Sequence, residues 1–303
     1  MGRASVLACL LTQAGTPALP LHFILWEKNT EMSNFNKKIA FVGGGNMAEA
    51  VLAGLLNKKI LLPEEILVAE IKPERRRYLE ETYSVETTET NSDAPKRAKT
   101  VFLAVKPQIL QDVKSELKNI LSADHVVISI LAGQSRSRLG EALGHMETIV
   151  RVMPNLPAQV GCGVSAITFP EQMNESDRNW VRKILKAVGE VVEVEEPLQD
   201  AVTAVSGSGP GYLFYLVDHW IAAAKEQGLP DDVARLLVVE TLAGAAQLLR
   251  ERPDSPSELV YKVATPGGTT EAGLSALRDH DVPAVVHEMV RRATQRSKEL
   301  NKG

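Results

Sequence analysis

Four short runs of residues carry the chemistry that the rest of this chain must position. The first is Ile39-Ala40-Phe41-Val42-Gly43-Gly44-Gly45-Asn46-Met47-Ala48, an apolar run passing through G-x-G-x-x-A into an amphipathic segment. Gly43 permits a tight turn, Gly45 lets the backbone come close to a pyrophosphate, and small Ala48 lets a helix close on the strand. Phosphate would then sit at a positive helix N-terminus, with Asn46 and Met47 opening the helix. At the end of the next strand Glu70 offers a carboxylate to the ribose hydroxyls of NAD and repels a 2′-phosphate. Close behind it, Lys72, Arg75, Arg76 and Arg77 could accommodate the 2′-phosphate of NADP or form a solvated helix face. Glu70 tips the expected NAD(P)H site towards NADH.

The second run, Val101-Phe102-Leu103-Ala104-Val105-Lys106-Pro107-Gln108, and the third, Arg151-Val152-Met153-Pro154-Asn155-Leu156-Pro157, end strands in loops stiffened by proline. Ligands of doubly wound sheets bind beyond the carboxyl ends of the strands. That makes Ala104, Val105, Lys106 and Pro107 cofactor-binding candidates, with Lys106 open to the plainer reading of an exposed turn lysine. Asn155 is the polar candidate in a loop that would floor the nicotinamide. The fourth run, Thr265-Pro266-Gly267-Gly268-Thr269-Thr270-Glu271, precedes a helix. Adjacent glycines can turn several N–H groups towards one anion, the helix dipole adds a positive end, and Thr269 and Thr270 add hydroxyls. It reads as a carboxylate cradle, with a capped interhelical turn as the alternative.

The scaffold for these runs has 303 residues, 44% hydrophobic and 24% charged, the balance of a chain that buries a core. Its 34 Lys+Arg against 38 Asp+Glu give a net charge of −4, which offers nucleic acid no basic surface. Cys9 and Cys162 can form neither a disulfide framework nor a cysteine-rich metal site, which fits a cytoplasmic protein. His219, His280 and His287 lack metal-ligand spacing. The most apolar stretch, 212–224, is interrupted by Asp218 and His219 and is too short to span a bilayer. Residues 1–31 are expected to be a non-structural leader: Arg3 and the apolar run 6–11 imitate a secretory signal poorly, and Met32 would make a natural start.

Short β-branched runs predict strands at 39–42, 66–70, 100–104, 126–130, 148–151, 164–168 and 191–194. Amphipathic segments predict helices at 47–56, 74–82, 109–119 and 176–188. That alternation implies α/β architecture around a mostly parallel sheet. After 196 only helices are expected, at 212–227, 232–250, 257–263, 270–279 and 283–300. The domains follow as 1–31, the leader, 32–196, a Rossmann-type dinucleotide-binding domain, and 197–303, an all-helical substrate-binding and dimerisation domain. The long apolar helix faces suit a homodimer or higher homo-oligomer. Ser206-Gly207-Ser208-Gly209-Pro210 lacks the frame of a hydrolase elbow and reads as the start of a helix.

Phe41-Val42-Gly43-Gly44-Gly45-Asn46-Met47, Ala104-Val105-Lys106-Pro107, Arg151-Val152-Met153-Pro154-Asn155, Ser206-Gly207-Ser208-Gly209-Pro210 and Pro266-Gly267-Gly268-Thr269-Thr270, in this order, resemble the motifs of pyrroline-5-carboxylate reductases. The resemblance spans nearly everything after Met32. It implies an NAD(P)H-dependent oxidoreductase acting on a C=N bond, one that reduces 1-pyrroline-5-carboxylate to L-proline in the last step of proline synthesis. It also implies that amides of Gly267, Gly268 and Thr269 bind the substrate carboxylate and that Thr270, the catalytic candidate, approaches the substrate nitrogen. Dimerisation through the helical domain is a further implication. Leu156 departs from the threonine usual in the family and removes a hydroxyl beside the cofactor. Gly211 stands where alanine is common. Two alternatives remain: another imine or β-hydroxyacid reductase, and a non-catalytic cofactor-binding regulator. The absence of lysine between Gln199 and Ala224 speaks against a 3-hydroxyacid dehydrogenase, and the cradle speaks against a bare sensor.

Overall fold

Alternation at the period of a strand decides the architecture. In β1 (Lys37–Val42), Ile39 and Phe41 join one apolar cluster while Ala40 and Val42 join another. The strand is thus buried on both faces, as a central parallel strand must be. The computed structural model describes residues 35–302, so the expected leader at 1–31, with Cys9, and Met32 lie outside the described residues. After β1 come α1 (Asn46–Asn57), β2 (Ile66–Ala69), α2 (Pro73–Tyr83), β3 (Glu86–Thr88), α3 (Asp93–Arg97) and β4 (Ala98–Leu103). The sheet half continues with α4 (Leu110–Leu117), β5 (Val126–Ser129), α5 (Arg136–Leu143), β6 (Ile149–Met153), β7 (Gly163–Thr168), α6 (Glu175–Leu185) and β8 (Gly189–Glu193).

All of these strands form one sheet, in the order β3-β2-β1-β4-β5-β6-β7-β8. Every pairing is parallel except that of β6 with β7. The order reverses between β1 and β4, the switch point at which a doubly wound sheet opens a crevice for ligands. Val51, Leu52 and Leu55 of α1 and Val181 and Ile184 of α6 cover one face. Val113 and Leu117 of α4 and Leu139 and Leu143 of α5 cover the other.

Besides the short helices α3 and, further along the chain, Gln199–Val202, β3 and α5 go beyond the sequence expectation. The three residues of β3 are all polar, so no apolar alternation announces them, yet they pair with β2 at the sheet edge. Helix α5 opens on Arg-Ser-Arg and is started by Ser135, whose Oγ accepts from Arg138 N at 3.3 Å. The helix expected at 109–119 is shorter, because Pro107 opens a separate 3₁₀ turn, Pro107–Ile109, ahead of it. That expected at 176–188 ends at Leu185, and β8 begins shortly after, at Gly189.

The polar edge is tied electrostatically. Arg97 grips Glu86 through bonds of 2.5 and 2.8 Å, and Lys37 Nζ reaches it at 2.8 Å. Those hydrogen bonds, Arg97 first and Lys37 second, hold the Glu86 carboxyl down from 4.5 to about 2. A lowered carboxyl adds stability that is present above its unfolded value and is lost as pH falls through the folded one. The group is partly exposed, so Glu86→Gln is expected to cost less than about 1 kcal/mol near neutrality. Its gap to the wild type in urea midpoint should close between about pH 4.5 and about pH 2.

Beyond β8 no strand follows among the described residues, and the chain runs through α7 (Gln199–Val202) and a π-turn at Thr203–Gly207 into α8 (Gly209–Glu226). After it come α9 (Asp231–Glu251), α10 (Pro256–Val263), α11 (Thr269–Asp279) and α12 (Val282–Lys302). Helix α12 returns to α7 and α5. Ser297 Oγ and Asn301 Nδ2 donate to Asp200 Oδ1 at 2.7 and 2.6 Å, and Arg138 Nη1 donates to the carbonyls of Leu300 and Asn301 at 3.2 and 3.0 Å. Those carbonyls are the acceptors a helix C-terminus leaves over. The other long helices differ. Only Pro210 of α8 and Ala234 and Val238 of α9 are buried, and no residue of α10 or α11 is. Phe214, Leu216 and Leu236 are more than half exposed, and Tyr261 is 82% exposed. These apolar faces are not covered by the described residues of their own chain. No helix among the described residues is long and apolar enough to cross a membrane.

Candidate active site

The ends of three strands meet at Gly43, where Gly43 N donates to Ala69 O at 2.8 Å and Ala104 N donates to Val42 O at 2.9 Å. With φ at +94° and Ala104 O only 2.9 Å from where a Cβ would stand, conformation and space both require glycine. Gly45 is different. It is the N-cap of α1 with φ at −71°, and a Cβ there would meet nothing within 4 Å. Open space over a helix N-terminus, ringed by N–H groups without intrahelical partners, fits the pyrophosphate of a dinucleotide. Asn46 is exposed at the head of the helix, whereas Met47 packs against the core and can offer a ligand little beyond its backbone.

Glu70 lies one residue past β2, and its carboxylate is fixed beside the turn. Oε2 accepts from Gly44 N at 2.9 Å and Oε1 from Lys72 N at 3.0 Å. The cations behind it are less free than the sequence suggests. Arg75 donates through Nε to Gly44 O at 2.7 Å and pairs with Glu49 through Nη2. Arg76 donates to Glu70 O at 2.8 Å, to Ile71 O at 3.0 Å and to Glu89 at 3.3 Å. Lys72 and Arg77 are exposed. Glu49 is a residue that sequence reasoning missed, since an acid in a first helical turn reads as a dipole partner and nothing in the pattern places it against α2. Burial pushes its carboxyl up, but bonds from Arg75, Tyr83 and Tyr78 outweigh that and hold it below the ordinary carboxylate range. Burial, together with the bond to Glu49, pushes the Tyr83 phenol up.

The loop after β4 leaves Ala104 and Val105 half-buried and Lys106 exposed, with Lys106 O accepting from Ile109 N at 3.0 Å as Pro107 starts the following turn. Asn155 is more than a ligand candidate. Its Oδ1 accepts from Val164 N at 2.9 Å and anchors the start of β7, which leaves Nδ2 as the donor it can offer. Leu156, the departure from the family pattern, is 46% exposed. The π-turn closes on this floor, with Gly207 placed directly against Met153. It leads into α8, as the reading of 206–210 as a helix start expects.

At the cradle, Gly267 adopts φ +71°, the left-handed conformation that favours glycine. Gly267 N donates to a carboxylate, that of Glu271, at 2.6 Å. Gly268 N donates to Thr265 O at 2.9 Å and is therefore spent inside the turn, whereas the expectation had it bind substrate. Thr269 and Thr270 open α11, so their amides are donors without intrahelical partners. No hydrogen bond or ion pair among the described residues joins 265–271 to the loops at Gly43, Lys106 or Asn155.

A family profile described as "Pyrroline-5-carboxylate reductase dimerisation" matches residues 196–300, and one described as "NADP oxidoreductase coenzyme F420-dependent" matches 38–133. The pyrroline-5-carboxylate reductase of Synechocystis sp. is 40% identical over 265 residues, spanning 88% of this chain and 98% of that protein. The structure of a pyrroline-5-carboxylate reductase from Coxiella burnetii superposes with a TM-score of 0.82 at 34% identity, covering 88% of this chain and 100% of that one. That of Plasmodium falciparum pyrroline carboxylate reductase, solved with NADP bound, gives 0.80 at 27% identity, with 88% and 98% covered.

Proposed function

The chain belongs to the pyrroline-5-carboxylate reductase family, and from that membership we propose that it reduces 1-pyrroline-5-carboxylate to L-proline with a reduced nicotinamide cofactor. The observation that carries this reading is the 40% identity over 98% of a curated relative; the two profile matches, 38–133 and 196–300, take in the dinucleotide turn and the cradle. We place the domain boundary at 196/197; the end of the last strand at Glu193 and a dimerisation profile that matches from 196 support that reading. Within the family's NAD(P) chemistry, Glu70 supports NADH, because its carboxylate is already held beside the turn by two backbone donors. Cysteine usage supports a cytoplasmic location.

A cyclic imine needs hydride on carbon and a proton on nitrogen. Bound NADH would supply the hydride. The protein's task is placement. The amides of Gly267, Thr269 and Thr270 hold the substrate carboxylate at the positive end of α11, with Glu271 giving up Gly267 N as the substrate arrives. The Thr270 hydroxyl hydrogen-bonds the imine nitrogen and relays a proton from water, since an aliphatic hydroxyl is too weak an acid to serve alone. Asn155 Nδ2 is the donor on the nicotinamide floor. Among the described residues no bond joins the cradle to the dinucleotide turn, and the helices that flank the cradle have uncovered apolar faces. We therefore assign each complete site to two copies, a turn from one and a cradle from the other.

Steady-state oxidation of NADH and NADPH with 1-pyrroline-5-carboxylate tests the reaction. Substrate-dependent oxidation, faster in kcat/KM with NADH, is expected. Glu70→Ala should lower kcat/KM for NADH about tenfold and spare that for NADPH. A folded protein that binds cofactor yet oxidises neither form would remove the proposed activity.

A further inference from the structure

Glu49 takes no part in the reaction just described, yet it is the centre of a polar network beside the dinucleotide turn. Its side chain is 19% exposed, pairs with Arg75, and accepts from Tyr78 OH at 2.9 Å and Tyr83 OH at 2.8 Å. It stands in the first turn of α1, where an acid suits the helix dipole but repels a phosphate placed at the same N-terminus. Arg75 neutralises that repulsion and is itself pinned from two more directions. Nε donates to Gly44 O at 2.7 Å, and the guanidinium lies 4.9 Å from the centre of the Tyr78 ring. Gly44 is also the residue whose N–H holds Glu70. Glu70, the proposed ribose acid, and Arg75 therefore meet on one residue of the turn.

We propose that Glu49 is a positioning residue for cofactor choice: by detaining Arg75 it withholds that guanidinium from a 2′-phosphate and leaves Glu70 to select NADH. The proposal rests on the nicotinamide reading of the turn. A guanidinium is a fork shaped for phosphate oxygens, so an arginine on Gly44 is a ready NADP ligand unless something holds it back. What holds it is a largely buried carboxylate, which Arg75 would leave unpaired by moving. Glu49→Gln removes the charge while its amide oxygen still accepts from both tyrosines.

Dissociation constants for NADH and for NADPH, measured without substrate by titration calorimetry, test this in the wild type, in Glu49→Gln and in Glu49→Gln/Arg75→Ala. The NADH-over-NADPH preference is expected to fall about tenfold in Glu49→Gln, mainly through tighter NADPH, with a steeper salt dependence of NADPH binding. The double variant should lose that gain. Equal weakening of both cofactors would reduce Arg75 to a prop for the turn and overturn the proposal. A gain that survives in the double variant would overturn it too, by assigning the phosphate contact to another cation such as Lys72 or Arg77. A wild type that binds neither dinucleotide would remove the underlying site reading as well, an outcome distinct from an unchanged ratio.

Discussion

Gly45→Val is expected to abolish NADH binding, a loss of at least about a hundredfold in affinity, while the fold survives nearly intact. The expectation comes from where the new atoms go. Nothing lies within 4 Å of a Cβ on Gly45, and its φ of −71° suits any residue, so the side chain fills only the space over the N-terminus of α1. A pyrophosphate needs that space and the amides beneath it. The cost to the fold is that of a poor N-cap, about 1 kcal/mol, or roughly 2–4 °C in Tm for a chain of this size. Gly43→Ala should behave differently, because its φ of +94° and the Ala104 carbonyl 2.9 Å from its Cβ put the strain inside the protein. Binding and stability should fall together there, with the Tm loss at least twice that of Gly45→Val, since a strained backbone position costs about 1–3 kcal/mol before the clash is added. Titration calorimetry beside thermal melts separates the two. Retained NADH binding by Gly45→Val would reject the placement of the pyrophosphate.

The contrast between these two glycines bears on what was legible in the sequence. Both were read from one pattern, but only the fold shows that the protein itself requires glycine at Gly43 and leaves open space at Gly45. The sheet itself was legible because β1, β2, β4 and β5 are buried on both faces and so are written as apolar runs. Strand β3 was not, because a three-residue polar edge held by Arg97 and Lys37 leaves no periodic trace. At the proposed site the turns that present backbone groups were legible by type and spacing, whereas side-chain allegiances were not. Arg75 reads as a candidate for phosphate, but its partners, Glu49 and Gly44, lie 26 and 31 positions away in the chain. Gly268 reads as a cradle donor, but the turn that presents the cradle uses its amide. Long-range pairing and competition for one N–H are settled by three-dimensional proximity, which local patterns do not encode.

Two inactive chains should restore each other. Thr270→Val keeps the size of the side chain and deletes the hydroxyl proposed to face the imine nitrogen, so turnover should drop at least about a hundredfold with NADH binding intact. Gly45→Val fails at the other half of the site. If a turn and a cradle from different copies make one site, a mixed dimer holds one site with both defects and one with neither. Random assembly of equal amounts makes half the dimers mixed, so co-refolded or co-expressed chains should recover about a quarter of wild-type activity. If each chain built its site alone, every site would carry a defect and the mixture would stay as inactive as its parts. The second outcome would overturn the shared site and demand another reason for leaving Phe214, Leu216 and Tyr261 in water. Burying such faces against a second copy is the main source of association free energy available to α8 and α9, which have almost no core of their own. On the proposed shared site, assembly and catalysis are coupled: the packing that covers these helices would bring the donors at Gly267–Thr270 to the carboxyl edge of the partner's sheet, so a chain kept monomeric should be not only less stable but catalytically empty.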